Sequence, residues 1–345
     1  MMKKTLLAIV VILVVAAIGI GWRFFMSNTP FGEKSRFLYV HTGQATEAEV
    51  LKSLDTLISN PGSFKFMADR LKVWENLAPG KYEVKKGTSI WKLARILRNH
   101  SQSPVNLVIT KLRTKENLAG LIGRKFESDS LSVINYMNNA DTLKHYGLDS
   151  NTIMTAVFPN TYSYFWNSTP SQIFKKLFAE YRSVWNDERK QKASAIGLSP
   201  TESYILASIV EEETNSMDEK DTMASVYRNR LKKSIRLGAD PTVKFALRDF
   251  SLKRIYEKHL AVVSPYNTYR NYGLPPGPIC TPSLKTLDQV LNSPETEYLY
   301  FVAKPDLSGR HLFAKTYSDH LKYAKLYRKT LDSLQRLRQA SKEDL

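Results

Sequence analysis

Residues 199–214 read Ser-Pro-Thr-Glu-Ser-Tyr-Ile-Leu-Ala-Ser-Ile-Val-Glu-Glu-Glu-Thr. Ser199 is placed to cap a helix, Pro200 suits the first helical position, and Glu202 closes a capping box. Ile205, Leu206, Ile209 and Val210 then form one aliphatic stripe. Glu211, Glu212 and Glu213 follow at the helix C-terminus, where the macrodipole opposes negative charge. Helix stability does not put three carboxylates there, so the segment reads as chemistry. At about 100° per residue, Glu211 lies off the stripe with Tyr204, Ala207 and Ser208, and Glu213 points back along it.

Outward toward the C-terminus, Asp218 is expected to cap a second helix bearing Met223, Ala224, Val226, Tyr227 and Leu231, with Arg228 and Arg230 on it. Asp240-Pro241 predicts an extended or turning backbone that presents Asp240. Residues 273–279 (GLPPGPI) predict a stiff polyproline-like loop that could wall a groove. A strand is expected over Tyr298–Ala303, His311-Leu312-Phe313 follows, and a basic amphipathic helix over Tyr317–Leu337.

Outward toward the N-terminus, Gln172–Ser194 predicts one long amphipathic helix. Residues 158–166 (FPNTYSYFW) hold five aromatics, suited to a core or, if exposed, to stacking on sugar rings. Residues 80–97 (GKYEVKKGTSIWKLARIL) predict a strand, a turn with a cap, and a helix, followed by a strand over Val105–Thr110; the order resembles a LysM-like glycan-binding module. Thr5–Trp22 is a run of 18 uncharged residues after Lys3 and Lys4. As a helix it spans roughly 27 Å, near the thickness of a hydrocarbon core. Trp22, Arg23, Phe24 and Phe25 end it as an interfacial belt rather than a cleavage site, which predicts a retained anchor with its N-terminus inside.

The 345 residues carry 50 Lys+Arg against 33 Asp+Glu, a net charge of +17, and one cysteine, Cys280. A single cysteine excludes an intrachain disulfide and a cysteine-based metal site. The positive charge favours polyanionic surroundings, and the anchor turns that expectation away from nucleic acid toward an anionic membrane face or an acidic polymer. The six histidines show no metal-type spacing, and neither a cofactor nor a metal is expected.

The segments ILASIVEEETNSMDEKDTMASVYRNRL (205–231), DPTV (240–243), YNTYRNYGLPPGPICTP (266–282) and YLYFVAKPDLSGRHLFAKTYSDH (298–320) resemble, in that order, the YceG-like endolytic murein transglycosylases (MltG family), over roughly residues 80 to 330. The resemblance implies a membrane-anchored lyase that cuts the MurNAc–GlcNAc bond of nascent peptidoglycan, leaves 1,6-anhydro ends and terminates strand elongation. It implies Glu211 as catalytic acid/base, Glu213 and Thr214 completing an E-x-E-T motif, and Asp240, Tyr266, Asn267 and Thr268 lining the cleft. His311 and His320 are expected to be structural or to touch substrate. The partners implied are glycan strands, the cytoplasmic membrane and peptidoglycan synthases, with no nucleic acid. Four positions depart from the family pattern: Glu212, Gly238, Asn160 and Leu321 stand where a basic residue, Gln, Asp and Asn are usual.

The fold class expected is α+β: a single N-terminal transmembrane helix, a small LysM-like α/β subdomain and a larger mixed α+β catalytic domain. The expected boundaries are a cytoplasmic N-terminus over 1–4, an anchor over 5–26, a linker over 27–35, an accessory domain over 36–150, a catalytic domain over 151–330 and a charged tail over 331–345. Two other functions fit the residues: a glycan hydrolase pairing Glu211 with Glu213 or Asp240, and a non-enzymatic cell-wall binding protein.

Overall fold

The computed structural model describes residues 2–343. The elements run α1 (Met2–Phe25), β1 (Ser35–Val40), α2 (Glu47–Leu54), α3 (Pro61–Arg70), β2 (Gly80–Lys85), α4 (Ile90–Arg98), β3 (Val105–Ile109), α5 (Lys115–Gly123), α6 (Ser130–Asn138), α7 (Ala140–Tyr146) and β4 (Asn160–Tyr164). They continue with α8 (Pro170–Val184), α9 (Asp187–Ala195), α10 (Pro200–Glu213), α11 (Lys220–Lys232), α12 (Asp240–Leu247), α13 (Glu257–Leu260), α14 (Leu284–Leu291), β5 (Tyr300–Ala303), β6 (His311–Ala314) and α15 (Tyr317–Glu343). The strands pair two by two, β1 with β2, β3 with β4 and β5 with β6. The architecture is mixed α+β.

The chain forms two compact units that interleave in sequence: residues 1–107, 122–129 and 162–170 make one, and 108–121, 130–161 and 171–345 the other. In the first, β1 and β2 are antiparallel, with Leu38 opposite Tyr82 and Arg36 opposite Val84. The period-two pattern sends Leu38, Val40, Tyr82 and Val84 into a core shared with Val50, Leu54, Phe64, Ile90, Leu93 and Leu97. Ser89 caps α4 by accepting from the Lys92 amide. The strands flanking α4 do not pair with each other: β2 joins β1 and β3 joins β4. The predicted strand–helix–strand order is present, therefore, without the shared sheet that would make it a module by itself. Thr5–Phe25 of α1 is long and apolar enough to cross a membrane; its side chains from Leu6 to Ile18 are exposed, while Phe24 packs against the core.

The second unit is built around α10. Ser199 and Glu202 form the reciprocal capping box, Ser199 Oγ accepting from the Glu202 amide at 3.2 Å and Glu202 Oε2 accepting from the Ser199 amide at 2.8 Å. Every residue from Ser203 to Val210 is buried, so the helix has no solvent face along this stretch. Its neighbours α11 and α14 supply Met223, Ala224, Tyr227, Leu287, Val290 and Leu291 to the same core. Removing the cap by Ser199→Ala should cost about 1 kcal/mol, read as a lower urea midpoint with an unchanged slope.

Several local expectations change. The helix expected over 172–194 is two, α8 and α9, because Asn186 caps a new start by accepting from the Arg189 amide at 3.0 Å. Asp240-Pro241 opens α12 instead of an extended segment, since proline lacks only an N–H that the first turn leaves unpaired anyway. Glu219, not Asp218, is the residue preceding α11. Of the five aromatics in 158–166, Phe158, Tyr162, Tyr164 and Trp166 are buried, and Phe165 is exposed. The expected C-terminal tail is mostly helix, α15 running to Glu343, and residues 344–345 lie outside the described residues. Met1 of the expected cytoplasmic N-terminus lies outside them as well.

Candidate active site

The three carboxylates that end α10 meet three different environments. Glu211 Oε2 accepts from Lys220 Nζ at 2.9 Å, from Ser283 Oγ at 3.3 Å and from Thr286 Oγ1. Lys220 is buried and also donates to Thr286 Oγ1 at 2.8 Å. Lys220 starts α11 and Thr286 lies on α14, so this cluster ties three core helices together. Glu212 turns to the segment after β3: Lys111 Nζ and Arg113 Nη2 each lie 3.0 Å from its carboxylate. Burial would raise its carboxyl, but the hydrogen bonds from Arg113 and Lys111 outweigh burial and hold it below the ordinary value.

Glu213 receives no such cation as its hydrogen-bond partner. Tyr227 donates its hydroxyl to Glu213 Oε1 at 2.6 Å. Burial is the largest influence and pushes the Glu213 carboxyl up to about 7; the Tyr227 hydrogen bond, Lys244 and Arg230 act against the rise, and Asp240 adds to it. Burial and the neighbouring Glu213 push the Tyr227 phenol well above its usual value, so it remains a donor.

Glu213 lines a cavity of about 520 Å³. Asp240 and Gly238 form part of the same wall, with Arg230, Arg236 and Tyr269, while Tyr300, Phe301, Tyr317 and His320 give it an aromatic side. Tyr269 donates to Asp240 Oδ1 at 2.6 Å. Arg230 is fixed by donating to the carbonyls of Leu299 at 2.6 Å and Leu237 at 2.7 Å, and its guanidinium lies 5.3 Å from the Tyr300 ring centre. His320 packs against Tyr317 and Tyr300 at centroid distances of 6.0 and 5.4 Å. Burial and Arg230 push its imidazole below the usual value, so a neutral ring borders the cavity near neutral pH.

Other predicted residues shape this wall from behind. Thr268 is buried; its Oγ1 accepts from the Ala239 amide at 3.0 Å and lies 2.8 Å from Thr242 Oγ1, and its carbonyl accepts from the Gly238 amide at 3.1 Å. Gly238 sits there at φ +57°, a left-handed conformation natural to glycine. Asn267 is fully buried, donating to the Leu260 and Val262 carbonyls at 2.9 Å and accepting from the Tyr269 amide at 3.0 Å. Both residues hold loops in place instead of facing the cavity. Tyr266 packs on Phe245 with ring centres 4.6 Å apart and its hydroxyl lies 3.4 Å from Asn151 Oδ1. Thr214 is the C-cap of α10 and accepts from the Ser216 amide at 3.0 Å. His311 is anchored to Glu219, Nδ1 to Oε2 at 3.1 Å and backbone amide to Oε1 at 2.8 Å.

Among the family departures, Asn160 bonds Glu180 at 3.2 Å and Leu321 is exposed, and neither borders this cavity. The proline-rich loop walls a different cavity, through Gly273, Leu274 and Pro275. Its Gly277 is sterically required, since a Cβ would meet the Asn151 carbonyl oxygen at 2.2 Å. Sequence reasoning gave no site role to Tyr227, Tyr269, Arg230 or Tyr300, while His320 was expected, like His311, to be structural or to touch substrate. Arg230, Tyr269 and Tyr300 fall inside quoted motifs at polar or aromatic positions, whereas Tyr227 reads from sequence as an apolar position of its helix. Among the described residues, no cluster of His, Cys, Asp or Glu is arranged to hold a metal ion.

A family model described as the YceG-like family matches residues 38–326. An endolytic murein transglycosylase of Bacillus subtilis is 29% identical over 244 residues, covering 71% of this chain and 64% of that protein. One from Streptococcus pneumoniae is 29% identical over 171 residues, covering 48% of this chain and 30% of that protein. The chain therefore spans less than two thirds of the length of these curated relatives. A crystal structure of a yceG-like protein from Listeria monocytogenes superposes with a TM-score of 0.57 at 24% identity, covering 84% of this chain and 99% of that one, and supports the fold.

Proposed function

The chain belongs to the YceG-like family, and from that membership we propose that it is an endolytic murein transglycosylase in which Glu213 carries the proton. The observation that supports this reading most is a carboxyl pushed up to about 7 on the wall of a 520 Å³ cavity. Near neutral pH a large share of Glu213 is protonated and able to donate to the oxygen of the MurNAc–GlcNAc bond. As that bond breaks, positive charge develops at the anomeric carbon, and Asp240 beside the cavity favours it. The resulting Glu213 carboxylate then takes the proton of the muramoyl 6-hydroxyl as its oxygen closes on the anomeric carbon. One carboxylate so serves as acid and then base, and the product is a 1,6-anhydro end. The Tyr227 hydroxyl occupies Oε1 and leaves Oε2 to carry the proton. Tyr300, Tyr317 and His320 offer flat faces for sugar rings.

Glu211, the expectation from sequence, is replaced in this role because its Oε2 is taken by Lys220, Ser283 and Thr286 away from the cavity residues. Thr268, Asn267 and Thr214 are proposed as positioning residues. The apolar α1 is proposed as a single-pass anchor with Lys3 and Lys4 inside and the larger unit outside, facing the wall. Glycan binding by residues 36–110 and association with peptidoglycan synthases belong to the same proposal.

The pH dependence has a defined sign. An acid must be protonated to donate, so turnover at saturating glycan should fall as pH rises through about 7. A rate profile that stays flat from pH 6 to pH 9, where roughly all of a pKa-7 carboxyl would ionise, would contradict the assignment of Glu213.

A further inference from the structure

The apolar helix α1 does not end in a free linker. Its last turn packs onto α3 and α4 within the same unit. Arg23 Nε donates to Ser63 Oγ at 2.5 Å, Phe24 meets Phe66 at 5.8 Å between ring centres, and Phe25 meets Trp91 at 5.9 Å. Two surface stripes continue outward from that contact. On α3, Gly62, Phe66 and Arg70 follow one another at the spacing of helical turns, all exposed, with the Arg70 guanidinium 5.3 Å from the Phe66 ring centre. On α4, the half-buried Trp91 is followed at the same spacing by the exposed Arg95 and Arg98, with the Arg95 guanidinium 4.5 Å from the Trp91 ring centre. The opposite faces of both helices are already used: Phe64 and Ala68, and Ile90, Leu93, Ala94 and Leu97, are in the core. Arg23 and Phe66 also border a shallow apolar cavity beside Gly62.

If α1 crosses a bilayer, its end at Phe25 fixes the depth of these stripes at the headgroup layer. Aromatic rings roofed by guanidinium groups suit that depth: rings settle at the glycerol and acyl boundary while cations meet phosphate. The acidic residue on this part of α3, Asp69, is engaged by Trp74 Nε1 at 2.6 Å and lies 3.8 Å from Lys65 Nζ. Its charge does not oppose the stripe.

We propose that the α3–α4 face around Phe66, Arg70, Trp91 and Arg95 is a membrane-docking surface that binds anionic phospholipid headgroups beside the end of α1. The contact holds the small unit down on the leaflet, so α1 acts as one part of a two-part anchor. The inference rests on the reading of α1 as a membrane helix and is independent of the catalytic assignment.

The full chain tests it after reconstitution into phospholipid bilayers. Gly62→Cys places a fluorescent label in the patch at a position where a Cβ meets nothing within 4 Å. Gln44→Cys, exposed beyond β1, is the reference, and Cys280 is buried and stays unlabelled. In bilayers containing phosphatidylglycerol, the label at 62 should be shielded several-fold from aqueous iodide relative to the label at 44. The shielding should weaken in pure phosphatidylcholine and in the Arg70→Glu/Arg95→Glu variant. Equal quenching at both sites in anionic bilayers overturns the proposal, and so does shielding unaffected by lipid charge. Protein that washes off the bilayer at alkaline pH refutes the anchor instead, which separates failure of the premise from failure of the inference.

Discussion

Glu213→Gln should leave a folded protein that has lost about 10²–10⁴-fold in turnover, the range a general acid–base group supplies. Glutamine keeps the shape and can still accept the Tyr227 hydroxyl, but cannot donate and retake a proton. The same substitution should stabilise the fold at neutral pH and above. A glutamate whose folded pKa is raised from 4.5 to about 7 is fully protonated in both states at low pH. Stability is therefore lost as pH climbs through that window, up to about 3 kcal/mol when the shift is fully expressed. An uncharged amide at this position removes that cost. Thermal melts of the two proteins should coincide near pH 4 and separate near pH 8, the variant melting higher. A variant that is inactive but less stable at pH 8 would mean that Glu213 is a structural charge.

Lys220→Met should do the reverse, damaging stability far more than chemistry. Lys220 is buried and supplies the ammonium that Glu211 faces at 2.9 Å. Removing one partner leaves the other charge in a core without its counterion, a loss of about 3–5 kcal/mol. Glu211→Gln strands Lys220 in the same way. The double variant Glu211→Gln/Lys220→Met removes both charges and should recover most of the loss, because a buried ion pair contributes little beyond satisfying itself. Urea unfolding of the four proteins gives the coupling directly. Specific activity per folded molecule should change little in any of them. A folded Glu211→Gln protein without activity would restore Glu211 as the proton carrier.

These contrasts show how far the sequence could be read. The start of α10 was legible because Ser199, Pro200 and Glu202 act within one turn. Which of the three carboxylates faces the cavity was not. Helical periodicity places Glu211 off the aliphatic stripe, on the side of Tyr204, Ala207 and Ser208. In the structure those residues are as buried as the aliphatic stripe, so angle around the helix could not distinguish core from cavity. The distinction comes from Thr286 and Ser283, more than seventy positions along the chain, and from Tyr227 reaching back to Glu213. Asp240 was found through its proline, though the proline starts a helix there. Asn267 and Thr268 were found as a motif, while their burial and their bonds to backbone emerge only from the folded loop. Strand segments 80–85 and 105–109 were legible from alternation; their partners were not, because pairing is a long-range choice.

The central claim is that one carboxylate, Glu213, cuts glycan with no water consumed. Uncrosslinked glycan digested by the wild-type protein in heavy-oxygen water, followed by mass spectrometry of the new ends, tests this most directly. The account predicts 1,6-anhydro ends without heavy oxygen, and none released by Glu213→Gln. Reducing ends that carry the heavy isotope would contradict it and identify a hydrolase, with Asp240 as the second carboxylate.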